Sequence, residues 1–282
     1  VHNNENITEM KILIPTDFSP QADFALILAK RLASKIPVSV EMLHVIPCRT
    51  EARLGADGTV EVEEDSVQGY LQARYQAALK GFEMYDFVAF EGSETRVEFG
   101  PLSETIVRRA SEAQFDLILM GTKGAFGLKE IVGGSETQHV VRASNTPVLS
   151  LMCDRSDLEI KNILLVHNIL DEKAALPMAV KQIAKAFEAT IHIIQDEGSN
   201  SPATSEAAFS EFVEREGLDL TKAKFYLDQI SERAIVGFDQ IQHMDLIVIG
   251  TEFRKGIQQI FRKNLAEKIV NHMYKPVITY HL

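Results

Sequence analysis

Residues 116–148 read DLILMGTKGAFGLKEIVGGSETQHVVRASNTPV. Leu117 to Met120 is a short uncharged apolar run, Gly121 breaks it abruptly, and a segment of helical composition follows before Thr146 and Pro147. Such a run, bounded by turn residues, predicts a buried strand that hands over to a loop and then a helix. Within the stretch, Gly121, Gly124, Gly134 and Ser135 form a Gly-x2-Gly-x9-Gly-Ser pattern. Glycines directly after a buried strand let the backbone turn sharply and bring its N–H groups close to a ligand. Gly134 and Ser135 precede Glu136 to Val141, which makes Ser135 a predicted N-cap. A helix start offers unpaired N–H groups and a partial positive charge. Together the two glycine clusters predict a loop that closes around a polyphosphate.

Upstream, Lys11 to Thr16 predicts a first strand, and Ser19 with Pro20 supplies an N-cap and a first-turn proline. The helix they open carries its apolar stripe on Ala22, Ala25, Leu26, Ala29 and Leu32. A second strand is predicted over Val38 to Ile46, a solvated acidic loop over 49–65, and a helix over Leu71 to Phe82. Arg96 to Phe99, Leu117 to Met120 and Val148 to Met152 complete five strands, with a helix over Leu102 to Glu112. This alternation predicts an α/β fold, a doubly wound open parallel sheet of Rossmann-like type. Ligands of such sheets bind beyond the carboxyl ends of the strands, where the strand order reverses. Asp17, Val45 and Gly121 stand at three of those ends.

The chain repeats itself. Asp116 to Thr122 recurs as Asp245 to Thr251, and the same offset carries Gly127 onto Gly256 and Pro147-Val148 onto Pro276-Val277. Lys11 to Asp17 is answered by Lys161 to Asn168. Two tandem domains are therefore predicted, at 10–153 and 160–282, with a tail at 1–9 expected to be disordered and a linker at 154–159. The trailing copy keeps the apolar strands but replaces Gly124 by Phe253, Gly134 by Lys263, Ser135 by Asn264 and Asp17 by Asn168. Side chains at those glycine positions obstruct a close backbone approach, so the phosphate loop is expected in the leading copy alone. Arg254, Lys255, Arg262 and Lys263 cluster in the trailing copy and read as a solvated basic face, with an anion or acidic-partner site as the sharper alternative.

A length of 282 residues with 45% hydrophobic and 24% charged content is that of a globular chain with two cores. Its net charge of -11 argues against a nucleic-acid partner, which requires a basic stripe. Cys48 and Cys153 are too few and too far apart for a disulfide framework or a zinc site. No metal-binding histidine pair, GxSxG elbow or Walker lysine is present. The lack of a membrane-span pattern leads to the expectation of a cytoplasmic protein. His44, within an apolar strand, is expected to be structural, and the phenylalanines at 18, 24, 82, 87 and 90 to belong to the core.

KILIPTDFS at 11–19, MLHVI at 42–46, and GTKG at 121–124 followed by Gly134-Ser135 resemble the universal stress protein family in its ATP-binding branch. The resemblance is strong over 10–152 and weak over 160–282, and it implies two adenine nucleotide alpha hydrolase-like domains with ATP, with or without Mg2+, in the first. It implies that Pro15 and Asp17 line the nucleoside and that Val45 reads adenine through its backbone. Gly121, Thr122, Lys123 and Gly124 would wrap the phosphates with Gly134, Ser135, Glu136 and Thr137, and Met120 and Gly127 complete the set. Glu136 departs from expectation, because an acid beside phosphates repels them unless Mg2+ or an outward turn intervenes. Pairing through the fifth strands implies an internal pseudo-dimer of Pro147 to Met152 with Pro276 to Tyr280, the whole being a monomer or a homodimer with an unknown protein partner. A nucleotide-dependent signalling or binding protein is the leading expectation. A slow ATPase or adenylating enzyme, or a nucleotide-free scaffold, are the alternatives.

Overall fold

The computed structural model describes residues 8–84, 93–121, 136–154, 156–167, 169–170, 175–196, 202–228, 231–251, 269 and 275–282. The first half contains β1 (Met10–Pro15), α1 (Pro20–Ala33), β2 (Val38–Ile46), β3 (Ala52–Leu54), β4 (Val60–Val62), α2 (Asp65–Glu83) and β5 (Glu94–Phe99). It continues through α3 (Leu102–Glu112), β6 (Leu117–Gly121), α4 (Glu136–Ala143) and β7 (Val148–Leu151). The second half contains β8 (Asn162–Val166), α5 (Met178–Ala186), β9 (Thr190–Asp196), α6 (Pro202–Glu216), β10 (Ala223–Asp228), α7 (Glu232–Gln242), β11 (Leu246–Thr251) and β12 (Val277–His281).

Ten of these strands form one sheet in the order β10-β9-β8-β11-β12-β7-β6-β1-β2-β5. Each half is parallel within itself, and the order reverses between β1 and β6 in the first half and between β8 and β11 in the second. The halves meet where β12 runs antiparallel to β7, with Ile278 opposite Leu149 and Thr279 opposite Val148. That pairing meets the expectation of joined fifth strands and covers two edges that would otherwise be open.

Alternation along the strands builds the faces, because successive side chains point to opposite sides. Ile12 and Ile14, Val40 and Met42, Leu149 and Leu151, Ile163 and Leu165, and Ile278 and Tyr280 lie in a single apolar cluster that runs through both halves, with α1 and α5 packed on it. On the opposite face the core is divided. Leu13, Leu43, Ile118 and Met120 pack with α3 and α4, and Leu164, Ile194 and Ile247 pack separately with Ile235 of α7. Arg31 of α1 joins the halves further by donating from Nε to the Leu158 carbonyl at 2.9 Å and by pairing with Glu159.

The stretch from 49 to 65 corrects a prediction. It holds the antiparallel hairpin β3–β4, with Leu54 opposite Val60, instead of a solvated loop. Val60 is fully buried against Ile46 and Leu71, which anchors the hairpin to the sheet and to α2. Gln72 and Gln68 of α2 bond the backbone N–H and carbonyl of Val60, at 2.6 and 3.0 Å. The acidic residues had masked this anchor, and α2 accordingly begins at Asp65, well ahead of the predicted Leu71.

Candidate functional site

The reversal between β1 and β6 sets the carboxyl ends of β2, β1 and β6 side by side. β1 leaves the ladder at Pro15, opposite Leu43, and the last bond between the two strands runs from Thr16 N–H to the Leu43 carbonyl at 2.9 Å. β2 continues against β5 as far as Ile46. The edge of β2 beyond Leu43 that faces β1 therefore borders the 16–19 loop outside the ladder. The Val45 side chain is buried in the cluster with Met120, which leaves its backbone as the part that can meet a ligand.

Four residues turn the chain from β1 into α1. Phe18 N–H donates to Thr16 Oγ1 and Ser19 N–H to Asp17 Oδ1, both at 3.0 Å. Ser19 Oγ accepts from Ala22 N–H at 3.4 Å as the helix cap. Phe18 has φ +61, a left-handed conformation that costs a residue with a Cβ roughly 1–2 kcal/mol. Its ring stacks on His44 at 4.8 Å between centroids and meets Phe82 edge-on at 5.1 Å. His44 is buried and its Nδ1 lies 2.8 Å from the Thr16 carbonyl oxygen. That oxygen only accepts, so Nδ1 carries the proton. Burial holds the His44 pKa below its usual value against the opposing pull of the Thr16 carbonyl. Asp17 itself is exposed.

Gly121 has a second reason to be glycine. A Cβ there would overlap the Gln21 carbonyl in the first turn of α1 and come within 3.1 Å of Ala22 N. The helix that follows the Asp17 loop rests directly on the β6 terminus, a packing demand beyond the sharp turn and the ligand approach that the sequence reading named. At the start of α4, Glu136 is exposed and Thr137 buried. The structure thus brings Pro15, Asp17, Val45, Met120 and Gly121 to three adjacent strand ends. Thr122, Lys123, Gly124, Gly127, Gly134 and Ser135 lie outside the described residues, as do Arg254, Lys255, Arg262, Lys263, Phe87 and Phe90.

Phe18 packs against the core and His44 is a buried structural residue, as the sequence reading expected, and from those positions both also hold the loop that carries Asp17. Sequence reasoning missed Glu41, the one acid in β2, which is buried and bound to Arg109 through Nε at 2.8 Å and again through Nη2, and to Arg96 at 3.2 Å. An acid in the middle of a buried apolar strand was the available signal. These pairs brace β2, β5 and α3 beneath the site.

The equivalent place in the second half is built from side chains. His167, standing where Thr16 stands, is buried with Nδ1 2.8 Å from Tyr280 Oη. A Cβ on Gly250 would meet Leu282 at 3.1 Å and His167 at 3.2 Å, where Gly121 meets helix backbone. Gln195, in the register position of His44, accepts from Ile169 N–H at 3.0 Å and so ties down the corresponding loop.

The sequence profile of the universal stress protein family matches residues 10–151. Universal stress protein MJ0577 of Methanocaldococcus jannaschii is 35% identical over 151 residues, spanning 49% of this chain and 92% of that protein. Universal stress protein MJ0531 of the same organism is 30% identical over 149 residues, 53% of this chain and 85% of its own. Among solved structures, a universal stress protein from Archaeoglobus fulgidus superposes with a TM-score of 0.71 at 16% identity, over 96% of this chain and 98% of its own. At that identity the likeness is one of fold, and it extends through both halves.

Proposed function

This chain belongs to the universal stress protein family, and from that premise we propose that its first half binds ATP in the crevice between β1 and β6 as a nucleotide-dependent binding protein of the stress response. The observation that carries the reading is the Asp17 carboxylate, exposed at the switch point and oriented through one oxygen by Ser19 N–H. A carboxylate held this way accepts hydrogen bonds from a ribose or an adenine amine. The β1-facing backbone of β2 near Val45 offers the donors and acceptors that read a base edge, and Pro15 closes the nucleoside end. Gly121, Thr122, Lys123 and Gly124, with Gly127, Gly134, Ser135 and Thr137, would take the phosphates through backbone N–H groups, and Lys123 adds a charge-assisted contact. Glu136 is exposed at the start of α4, and beside phosphates it is an acid whose repulsion a bound Mg2+ would offset. ATP, when bound, supplies a state that a protein partner can distinguish.

Calorimetric titration of the full chain with ATP, with and without Mg2+, tests this reading. One site per chain, lost in Asp17→Ala, is expected. No heat of binding under either condition, together with no nucleotide detected by mass spectrometry in the purified protein, would overturn it.

A further inference from the structure

Holding Asp17 in place requires more than its own hydrogen bond. The loop reverses through Phe18, and only while that residue keeps its positive φ does Ser19 N–H reach Asp17 Oδ1. The N–H groups of Phe18 and Ser19 bond side-chain oxygens within the loop, and the Phe18 ring is clamped between His44 on one side and the end of α2 on the other. The α2 side is tight. A Cβ added at Gly81 would stand 2.7 Å from Phe18 Cε1 and Cζ, so the ring lies directly on the helix backbone. Gly69, twelve residues earlier in the same helix, would meet nothing within 4 Å. His44 closes the circuit by donating to the Thr16 carbonyl at the other end of the loop.

We propose that Phe18 is the positioning residue of the Asp17 loop, and that its seat is set from outside the site by α2 at Gly81, so that nucleotide affinity depends on the placement of a helix remote from the proposed nucleotide contacts. The inference rests on the ATP reading above and assigns that site a control point.

The test is calorimetric titration of Mg-ATP into the full chain, with thermal melting of every variant. Alanine raises helix propensity at both glycines, so Gly81→Ala and Gly69→Ala share that gain and differ in the clash. Gly69→Ala is expected to bind as the wild type does. Gly81→Ala and Phe18→Ala are expected to weaken ATP by about tenfold or more while keeping a folded spectrum. If Phe18→Ala fails to fold, Gly81→Ala decides alone. Affinity of Gly81→Ala within about twofold of wild type, with Asp17→Ala still abolishing binding, overturns the positioning role and leaves the ATP site standing. A wild-type chain that takes up no ATP refutes the site itself, and the control point falls with it.

Discussion

Substituting Glu41 by leucine removes the carboxylate that β2 buries beneath the strand ends. Glu41 is 4% exposed, and its main partner, the Arg109 side chain, is 18% exposed. Deleting one member of a buried pair strands the other charge, at a cost of about 3–5 kcal/mol. Arg109 retains some access to water and feels Glu98 and Glu94 nearby, which places the expectation at the lower end, about 3 kcal/mol. For a chain of this size that is a fall in Tm of about 6–12 °C. The double variant Glu41→Leu/Arg109→Met leaves apolar groups in place of the pair, and such replacements are often neutral or stabilising. It should therefore be less destabilised than Glu41→Leu alone, with a coupling of at least about 1 kcal/mol in a double-mutant cycle. Urea and thermal unfolding followed by circular dichroism measure Glu41→Leu, Arg109→Met and the double variant. A single variant costing under about 1 kcal/mol, or a double variant costing the sum of its parts, would show that the buried cluster does not hold β2, β5 and α3 together.

Gly121→Ala, whose Cβ overlaps the Gln21 carbonyl, should displace the first turn of α1 at a cost of about 3 kcal/mol and abolish ATP binding; retained Tm and affinity would contradict this packing. Because one apolar cluster runs through both halves, differential scanning calorimetry should show a single transition with calorimetric and van't Hoff enthalpies equal, and two resolved peaks would separate the halves. Leu149→Ala, at the seam, should lower that one transition as a whole by about 2–5 kcal/mol. Glu216 is buried, yet Lys181 at 2.7 Å, the Leu176 N–H and Arg215 outweigh its desolvation and hold its pKa below the ordinary 4.5. Its contribution to stability is complete above pH 4.5 and is lost as the pH falls through the lower folded value. Glu216→Gln should accordingly flatten the acid limb of a stability–pH curve, and an unchanged limb would refute the assignment. His44 acts with the same sign at higher pH. Burial and Arg74 lower its pKa against the pull of the Thr16 carbonyl and Asp17, so its share is present above the ordinary 6.5 and lost on acidification.

The alternation of strands and helices was legible because the central parallel strands are mainly apolar runs, and the repeat at fixed offset exposed the second half. Boundaries were less so. The hairpin at β3–β4 was hidden because its anchor is one residue, Val60, among acids whose exposed positions dominate the local pattern. Individual residues could be placed at strand ends, but their reasons could not. Gly121 signalled a close approach, yet the approaching atoms belong to a helix begun a hundred residues earlier in the chain. Phe18 was read correctly as packing on the core, but hydrophobicity carries no record of φ, and the partners that clamp the ring come from β2 and α2. The Glu41 cluster shows the same limit from the other side. An isolated acid in an apolar strand announces that something must pair with it, whereas the arginines come from β5 and α3.

The antiparallel seam between β7 and β12 turns one half upside down relative to the other, so the two sets of strand termini open on opposite rims of the sheet. A pair of separate identical subunits joined in this manner must carry every substitution twice. Here a single covalent chain spans the junction, so the two rims can differ, with Gly250 facing His167 and Leu282 where Gly121 faces the first turn of α1. Dilution cannot uncouple the two, and the stoichiometry of any ligand that enters at one rim is fixed per chain.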